Sequence, residues 1–515
     1  MARKLLPIGI QTFREIRERD CYYVDKTGFA VRLAEEGKHY FLSRPRRFGK
    51  SLFLDTLKEL FAGSRELFAG LQARDRWDWS ARHPVVRLSF GRGDFKEPGY
   101  LRANLAAQLA AIERRTATER CADMAPDRFA HLLETLHERS GQRVAVLVDE
   151  YDKPILDALE AEQVARANRD YLRGVYATVK DCDSHVRFCF LTGVSKFSKV
   201  SLFSGLNNLD DITLDPSYSS ICGYTEEDLD AVFAPELEGL DRERIRDWYN
   251  GYSWGGAERV YNPFDVLLLL RKRKYQAWWF ETGTPTFLVR TLAERQVHAA
   301  TLEDALASEK LLGTFDVGRI ATEALLFQTG YLTVTGVETE AGREFYRLGY
   351  PNREVRESLN ESLLDYLTGY AWRPEEHRGP LRRILREGDF AGLEERIRAL
   401  FAAIPHDWYR RNDIDRFEGH YASVMYAYFA SLGQDVRAED SGSRGRADLV
   451  LRARGRVYVF EFKVVERAGT GAAMAQLRER GYADKYRHLG VPVQLVGVEF
   501  SKRTRNVERF ETELA

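Results

Sequence analysis

Three side chains near the carboxyl end of this sequence carry the densest chemistry: Asp448 in "GRADLVLR", then Glu461 and Lys463 in "RGRVYVFEFKVVER". Glu461 and Lys463 interrupt an apolar run that otherwise reads as a buried strand, where a poorly paired charge costs several kcal/mol. One reading is a cross-strand salt bridge at a sheet edge; the other is a metal site. The two short strands flank Arg454-Gly455, and a two-residue turn there pairs position 448 with position 461. That pairing sets two carboxylates directly opposite each other, with Cβ atoms about 5 Å apart. Lys463, two residues on, shares the face of Glu461. Opposed like charges repel across a sheet, so a purely structural hairpin should avoid this pair, whereas a divalent cation would use it.

Two helices flank these strands. In "FEGHYASVMYAYFASLG" the residues Tyr421, Met425, Tyr428 and Leu432 form one stripe, and Glu418 stands one turn before it. Glu418 is either a carboxylate on the core side or a first-turn acid favoured by the helix dipole. Glu439, in the intervening strand, is an alternative to it. After the strands, "AAMAQLRERGYADKY" puts Gln476 and Arg480 on one helical face, open to a scissile phosphate or to solvent.

A second signature lies near the amino end. "FLSRPRRFGKSLFLDTLKEL" sets Gly49, Lys50 and Ser51 between a strand and an amphipathic helix. There backbone amides cradle phosphates, a lysine reaches the β and γ oxygens, and a hydroxyl holds magnesium. The general pattern G-x-x-x-x-G-K-[ST] asks for glycine at position 44, but this chain has Arg44, followed by Pro45, Arg46 and Arg47. Further on, "RVAVLVDEYDKP" is an aliphatic strand ending in Asp149 and Glu150. At the carboxyl end of a parallel strand the first acid would hold magnesium and the second would orient a water against the γ-phosphate. An N-capping acid is the structural alternative, and both motifs in this order weigh against it. "FCFLTG" ends in Thr192, either a γ-phosphate sensor or a turn residue.

The elements that must position these groups follow from patterning. Short apolar runs (HYFLS, VVRLSF, VAVLVDE, FCFLTG) alternate with helices over the first two hundred residues, which implies a parallel sheet. From about Tyr224 the chain turns helical and aromatic, with no phosphate or metal signature. "EALLFQTGYLTVTGVETEAGREFYRLGYPN" reads helix, strand, turn, strand, a winged-helix-like unit expected to serve packing. A helical connector follows, then helix, three strands, helix and strand. With 515 residues, two or three domains are expected; 77 Lys plus Arg against 78 Asp plus Glu give no electrostatic hint of a nucleic-acid partner. Cysteines at 21, 121, 182, 189 and 222 lack metal-binding spacing, which argues against zinc and for a reducing compartment. Neither MARKLLPIGIQTF nor VLLLL is long enough for a signal peptide or a membrane span, so a cytoplasmic protein without membrane association is expected.

"YYVDKTGF", "SRPRRFGKSL", "VLVDEYDKP", "FLTGVSKFSKVSLFSGLNNLDDIT" and "YNGYSW" together resemble a bacterial AAA-ATPase-like family that often carries a nuclease-like C-terminal domain. Its P-loop also reads RPRRFGKS. The resemblance implies ATP binding through Arg47, Gly49, Lys50 and Ser51, with Asp149, Glu150 and Thr192 completing a magnesium-dependent ATPase site. Lys196 or Lys199 would touch phosphate, and Asp25 and Lys26 lie in a segment whose role the residues do not disclose. Downstream, the order of Glu418, Gly-Arg-Ala-Asp448, Glu461-Phe-Lys463 and Gln476 resembles the PD-(D/E)XK nuclease superfamily. That likeness implies that Asp448 and Glu461 bind Mg2+, that Lys463 positions or activates water, and that Glu418 and Gln476 complete the site. The expected class is α/β: an AAA-like P-loop ATPase at 1–223, a helical and winged-helix-like region at 224–350, a helical connector at 351–409 and a restriction-endonuclease-like domain at 410–515. The expected function is an ATPase fused to a DNA endonuclease, with ATP controlling access to nucleic acid and a homo-oligomer formed through the ATPase domain. The rival is a nucleotide switch whose C-terminal domain only binds nucleic acid or a protein.

Overall fold

Each aliphatic run of the first two hundred residues is followed by helical chain that can return it to the same end of a sheet, the condition for parallel pairing. In the computed structural model, which describes all residues except 1–2, 198–201, 204, 256–257, 281–285, 296–301, 314, 317–318, 369–371, 405–417, 443–444, 454 and 467–468, these runs are β1 His39–Ser43, β2 Val85–Ser89, β3 Val144–Asp149 and β4 Val186–Gly193, and a short polar strand, β5 Asp210–Asp211, joins them. They form one parallel sheet in the order β2-β3-β4-β1-β5. Strands β1 and β3 are buried along their whole length, as strands covered on both faces must be, while edge strand β2 alternates. Because β4 lies between β1 and β3, both Leu42 and Asp149 stand beside Thr192. The chain is a mixed α/β protein with two compact units, Met1–Trp279 with Leu306–Asn352, and Phe280–Ala305 with Arg353–Ala515.

The helical part of the first unit begins with Glu226–Leu237, started by a reciprocal capping box between Thr225 and Asp228. The aliphatic block 266–270 is the centre of helix Pro263–Lys272 and packs with Tyr22, Val24, Phe233 and Tyr249. Helix Thr322–Thr329 then leads into the antiparallel pair β9 Thr333–Glu340 and β10 Arg343–Gly349; β6 Ala305–Ser308 lies beside β10, and β7 Phe315–Asp316 pairs with β8 Arg319–Ile320. The β9 end is stitched to Ser253: the Ser253 amide donates to Thr333 Oγ1 at 2.7 Å, and that hydroxyl donates to the Ser253 carbonyl at 3.0 Å.

The second unit holds helices Arg353–Leu367, Pro374–Glu387, Phe390–Ala403 and Glu418–Ser431 and a five-stranded sheet. Its strands are β11 Asp435–Gly442, β12 Gly445–Ala453, β13 Arg456–Val465, β14 Val493–Ser501 and β15 Val507–Leu514, in that spatial order. Strands β11 to β13 run antiparallel; β13 and β14 are parallel, joined through helix Ala472–Arg480. The fifth strand, β15, goes beyond the sequence pattern because "VERFETEL" is a polar, half-exposed edge with little hydrophobic signal. Helix Glu418–Ser431 also departs from the stripe: Tyr426, Phe429 and Ala430 are as fully buried as Tyr421, Met425 and Tyr428, so the helix is enclosed on most sides. Among the described residues no helix is long and apolar enough to cross a membrane.

One backbone position tests the first unit. Gly251 has φ +127°, and a Cβ there would meet the Pro351 carbonyl oxygen at 1.8 Å. Gly251→Ala should destabilise the unit by about 3 kcal/mol or more, from left-handed strain plus a rigid backbone clash, read as a lowered urea midpoint.

Candidate phosphate and carboxylate sites

The phosphate loop is closed by its own lysine. Lys50 opens helix Lys50–Phe61 behind Gly49 at φ +93°, is 7% exposed, and donates Nζ to the carbonyls of Arg44 at 2.8 Å and Pro45 at 2.9 Å. Arg44, in place of glycine, is fully buried and acts as a clamp. Its guanidinium donates to the carbonyls of Ser43 at 2.9 Å, Thr213 at 2.8 Å and Tyr218 at 3.1 Å, and lies 4.1 Å from the Trp254 ring. Burial pushes its pKa down to about 10. Phe48 packs edge-on to Tyr252 and Trp254, and Trp279 Nε1 donates to the Arg46 carbonyl at 3.0 Å. The aromatic segment that carries no phosphate signature in sequence is therefore the scaffold of the phosphate loop. Arg47 is exposed over the Phe264 ring, and Ser51 is half-buried beside Lys50.

Strand β3 delivers Asp149, 3% exposed, whose Oδ2 accepts from Arg87 Nη2 at 3.3 Å and whose Oδ1 is buried without a hydrogen-bond partner. Arg87 also donates to Asp55 Oδ1 at 2.9 Å. Glu150 follows at φ +52°, a left-handed conformation uncommon outside glycine. Burial, then the neighbouring Asp149 charge, raises its pKa. Thr192 stands beside Asp149, but its hydroxyl donates to the Leu42 carbonyl at 2.9 Å and has only lone pairs left to offer. Lys196 is held by Asp211 at 2.5 Å rather than offered to the loop, and Lys199 lies outside the described residues. The segment "YYVDKTGF" has a scaffold role: Asp25 accepts from the amides of Thr27 and Gln72, and Lys26 donates to Asp228 at 2.7 Å. Sequence reasoning passed over Asp152, whose buried carboxylate accepts from the amides of Val194 and Ser195 and fixes the turn after β4.

In the second unit, β12 and β13 pair from Leu449 with Phe460 to Ala453 with Arg456, the register that the turn count predicts; Arg454 itself lies outside the described residues. The ladder stops one step before Asp448, whose Oδ2 accepts from the Phe462 amide at 2.7 Å. Glu461 is 1% exposed. Its Oε1 accepts from Gln476 Nε2 and lies 3.4 Å from Lys463 Nζ, while Oε2 is buried without a hydrogen-bond partner. Lys463 donates to Glu418 Oε2 at 3.1 Å. Burial, and then the Asp448 charge, pushes Glu461 up to about 7; burial likewise pushes Asp448 up to about 6. For Lys463 burial acts downward, but Glu418 leads the surrounding carboxylates in outweighing it, and the pKa rises. Glu439, the alternative to Glu418, sits at φ +46° in β11, exposed and paired with Arg446 at 2.7 Å.

Gln476 reaches Glu461, so Glu461, Lys463, Glu418 and Gln476 form one contacting group, and Asp448 bears on it through its charge. Arg480 is exposed on the same helix. No three His, Cys, Asp or Glu side chains gather as a metal cluster among the described residues. Two carboxylates with raised pKa values and one orphaned oxygen fit a hard divalent ion that keeps water or phosphate oxygens in its remaining positions.

A family model described as predicted AAA-ATPase matches residues 7–203, and one described as PD-(D/E)XK nuclease superfamily matches residues 416–510. The chain is 57% identical over 514 residues, 100% of its length, to the "Uncharacterized protein in vnfD 5'region" of Azotobacter chroococcum mcd 1, and covers 99% of that protein. The chain belongs to the family of predicted AAA-ATPases that carry a C-terminal domain of the PD-(D/E)XK nuclease superfamily.

Proposed function

We propose that the first unit binds and hydrolyses ATP and that the second cleaves phosphodiester bonds in DNA with Mg2+. The observation that carries the nuclease reading is the buried Glu461 carboxylate, held on one oxygen by Gln476 and Lys463, orphaned on the other, and set against Asp448. Asp448 and Glu461 would hold the ion, which polarises the scissile phosphoryl oxygen and lowers the pKa of water. Lys463, fixed by Glu418, positions the attacking water. Gln476 keeps the Glu461 carboxylate from turning.

In the first unit, Lys50 exchanges its two loop carbonyls for phosphate oxygens, with the amides of Arg47 and Gly49 beside it. Ser51 and Asp149 would hold the magnesium that accompanies ATP, and the orphaned Asp149 Oδ1 fits that task. Glu150 orients the attacking water; Thr192, beside Asp149, would sense the γ-phosphate only by turning its hydroxyl proton away from the Leu42 carbonyl. Asp152 acts indirectly, by fixing the turn that follows β4.

Three outcomes test these assignments. Glu150→Gln should retain ATP binding and lose at least about a hundredfold in phosphate release, while Lys50→Ala should lose binding itself. Magnesium-dependent nicking of labelled DNA should disappear in Asp448→Ala and Lys463→Ala; binding to DNA that ignores magnesium, with no nicking, would support the switch reading instead. The third is a pH test. Burial raises Asp152 from the ordinary carboxylate range to about 6, so the folded state favours its protonated form. Stability therefore falls as pH rises from about 4 to 6, and the penalty is complete above that window. Asp152→Asn keeps an acceptor for the two amides and should gain about 2 kcal/mol at pH 8 and almost nothing at pH 4, by urea unfolding.

A further inference from the structure

Strand β14, "VQLVGVEFS", contains one charge in a run otherwise made for a core: Glu499, 1% exposed. In the parallel register Glu499 stands beside Lys463, and Gly497 beside Glu461. Paired residues of neighbouring strands share a face, so both belong to the side of the sheet that carries the carboxylate site. Helix Ala472–Arg480, which supplies Gln476, lies against that side.

Two features of β14 hold this helix. The first is depth: a Cβ on Gly497 would lie 2.8 Å from the Met474 nitrogen and 3.1 Å from its Cα, so only glycine lets the helix backbone come this close. The second is orientation. Gly471 at the N-cap has no side chain to cap the helix, and Glu499 caps it from the neighbouring strand. Its Oε2 accepts from the Thr470 amide at 2.6 Å; its Oε1 accepts from the Ala473 amide at 3.3 Å and from Thr470 Oγ1 at 3.4 Å. Arg509, beside Glu499 on β15, donates to the Gly469 carbonyl at 3.4 Å and so holds the same loop.

We propose that Glu499, with Gly497, is a positioning residue of the carboxylate site. It fixes the height and rotation of the helix so that the Gln476 amide meets Glu461 Oε1 and leaves Oε2 turned to the ion. The proposal rests on the reading of Asp448 and Glu461 as a metal site. Groups that orient a metal ligand from behind typically contribute 10- to 100-fold in affinity.

The test uses the full chain and Mn2+ alone, without DNA or ATP, by calorimetry at a temperature where every variant is folded. The site in question is the one whose heat is lost in Asp448→Ala. Glu499→Ala and Gly497→Ala should each weaken it about tenfold, Glu499→Gln should recover part of the loss, and Glu499→Ala should add little to Gln476→Ala. Wild-type Mn2+ affinity in folded Glu499→Ala, or full additivity with Gln476→Ala, would overturn the proposal while leaving the metal reading intact. No Mn2+ site dependent on Asp448 in the unmutated protein would overturn both. Should Glu499→Ala fail to fold, Gly497→Ala and Glu499→Gln carry the same comparison.

Discussion

Two carboxylates brought out of water side by side repel each other and lack solvent to spread their charge, and the groups around Asp448 and Glu461 answer that difficulty. Asp448 is anchored by the Phe462 amide, Glu461 by Gln476 and Lys463, and Lys463 in turn by Glu418. The Phe462 amide and Lys463 come from β13 itself, Gln476 from helix Ala472–Arg480 and Glu418 from helix Glu418–Ser431, so two helices as well as the hairpin hold the pair. Such a concentration of unfavourable charge lowers stability and persists where something else gains from it.

The first unit solves a related problem with the opposite sign. Arg44 and Lys50 are buried cations that meet backbone carbonyls in place of carboxylates, and Trp254 covers the Arg44 guanidinium. Carbonyl dipoles satisfy hydrogen bonds without neutralising charge. The loop thus stays electropositive while remaining closed on itself.

Much of this was legible in the chain and some was not, for separable reasons. Period-2 and period-3.6 patterning located β1 to β4 and the helices between them, because buried parallel strands are continuous apolar runs. Counting across Arg454-Gly455 recovered the β12 and β13 register, since a tight turn leaves no freedom in pairing. By contrast, the grip of Trp254 on Arg44 joins residues far apart in sequence, and no local pattern encodes it. Glu499 did have a signal, a lone acid in an apolar strand like Glu461, but its partners are backbone amides and leave no mark in residue types. Strand β15 escaped because an edge strand with one wet face looks like a loop.

If Asp448 and Glu461 hold a cation as proposed, the fixing of the Glu461 carboxylate bears on which ions can enter. With Gln476 and Lys463 both on Oε1, gripping a cation with two oxygens would cost those contacts, and Oε2 is the oxygen left to offer. Calcium, which collects six to eight oxygens at variable angles, gains little from such a rigid ligand, whereas a small octahedral ion that keeps most of its water loses nothing. On that reading, stiffness behind one oxygen would act as discrimination by size.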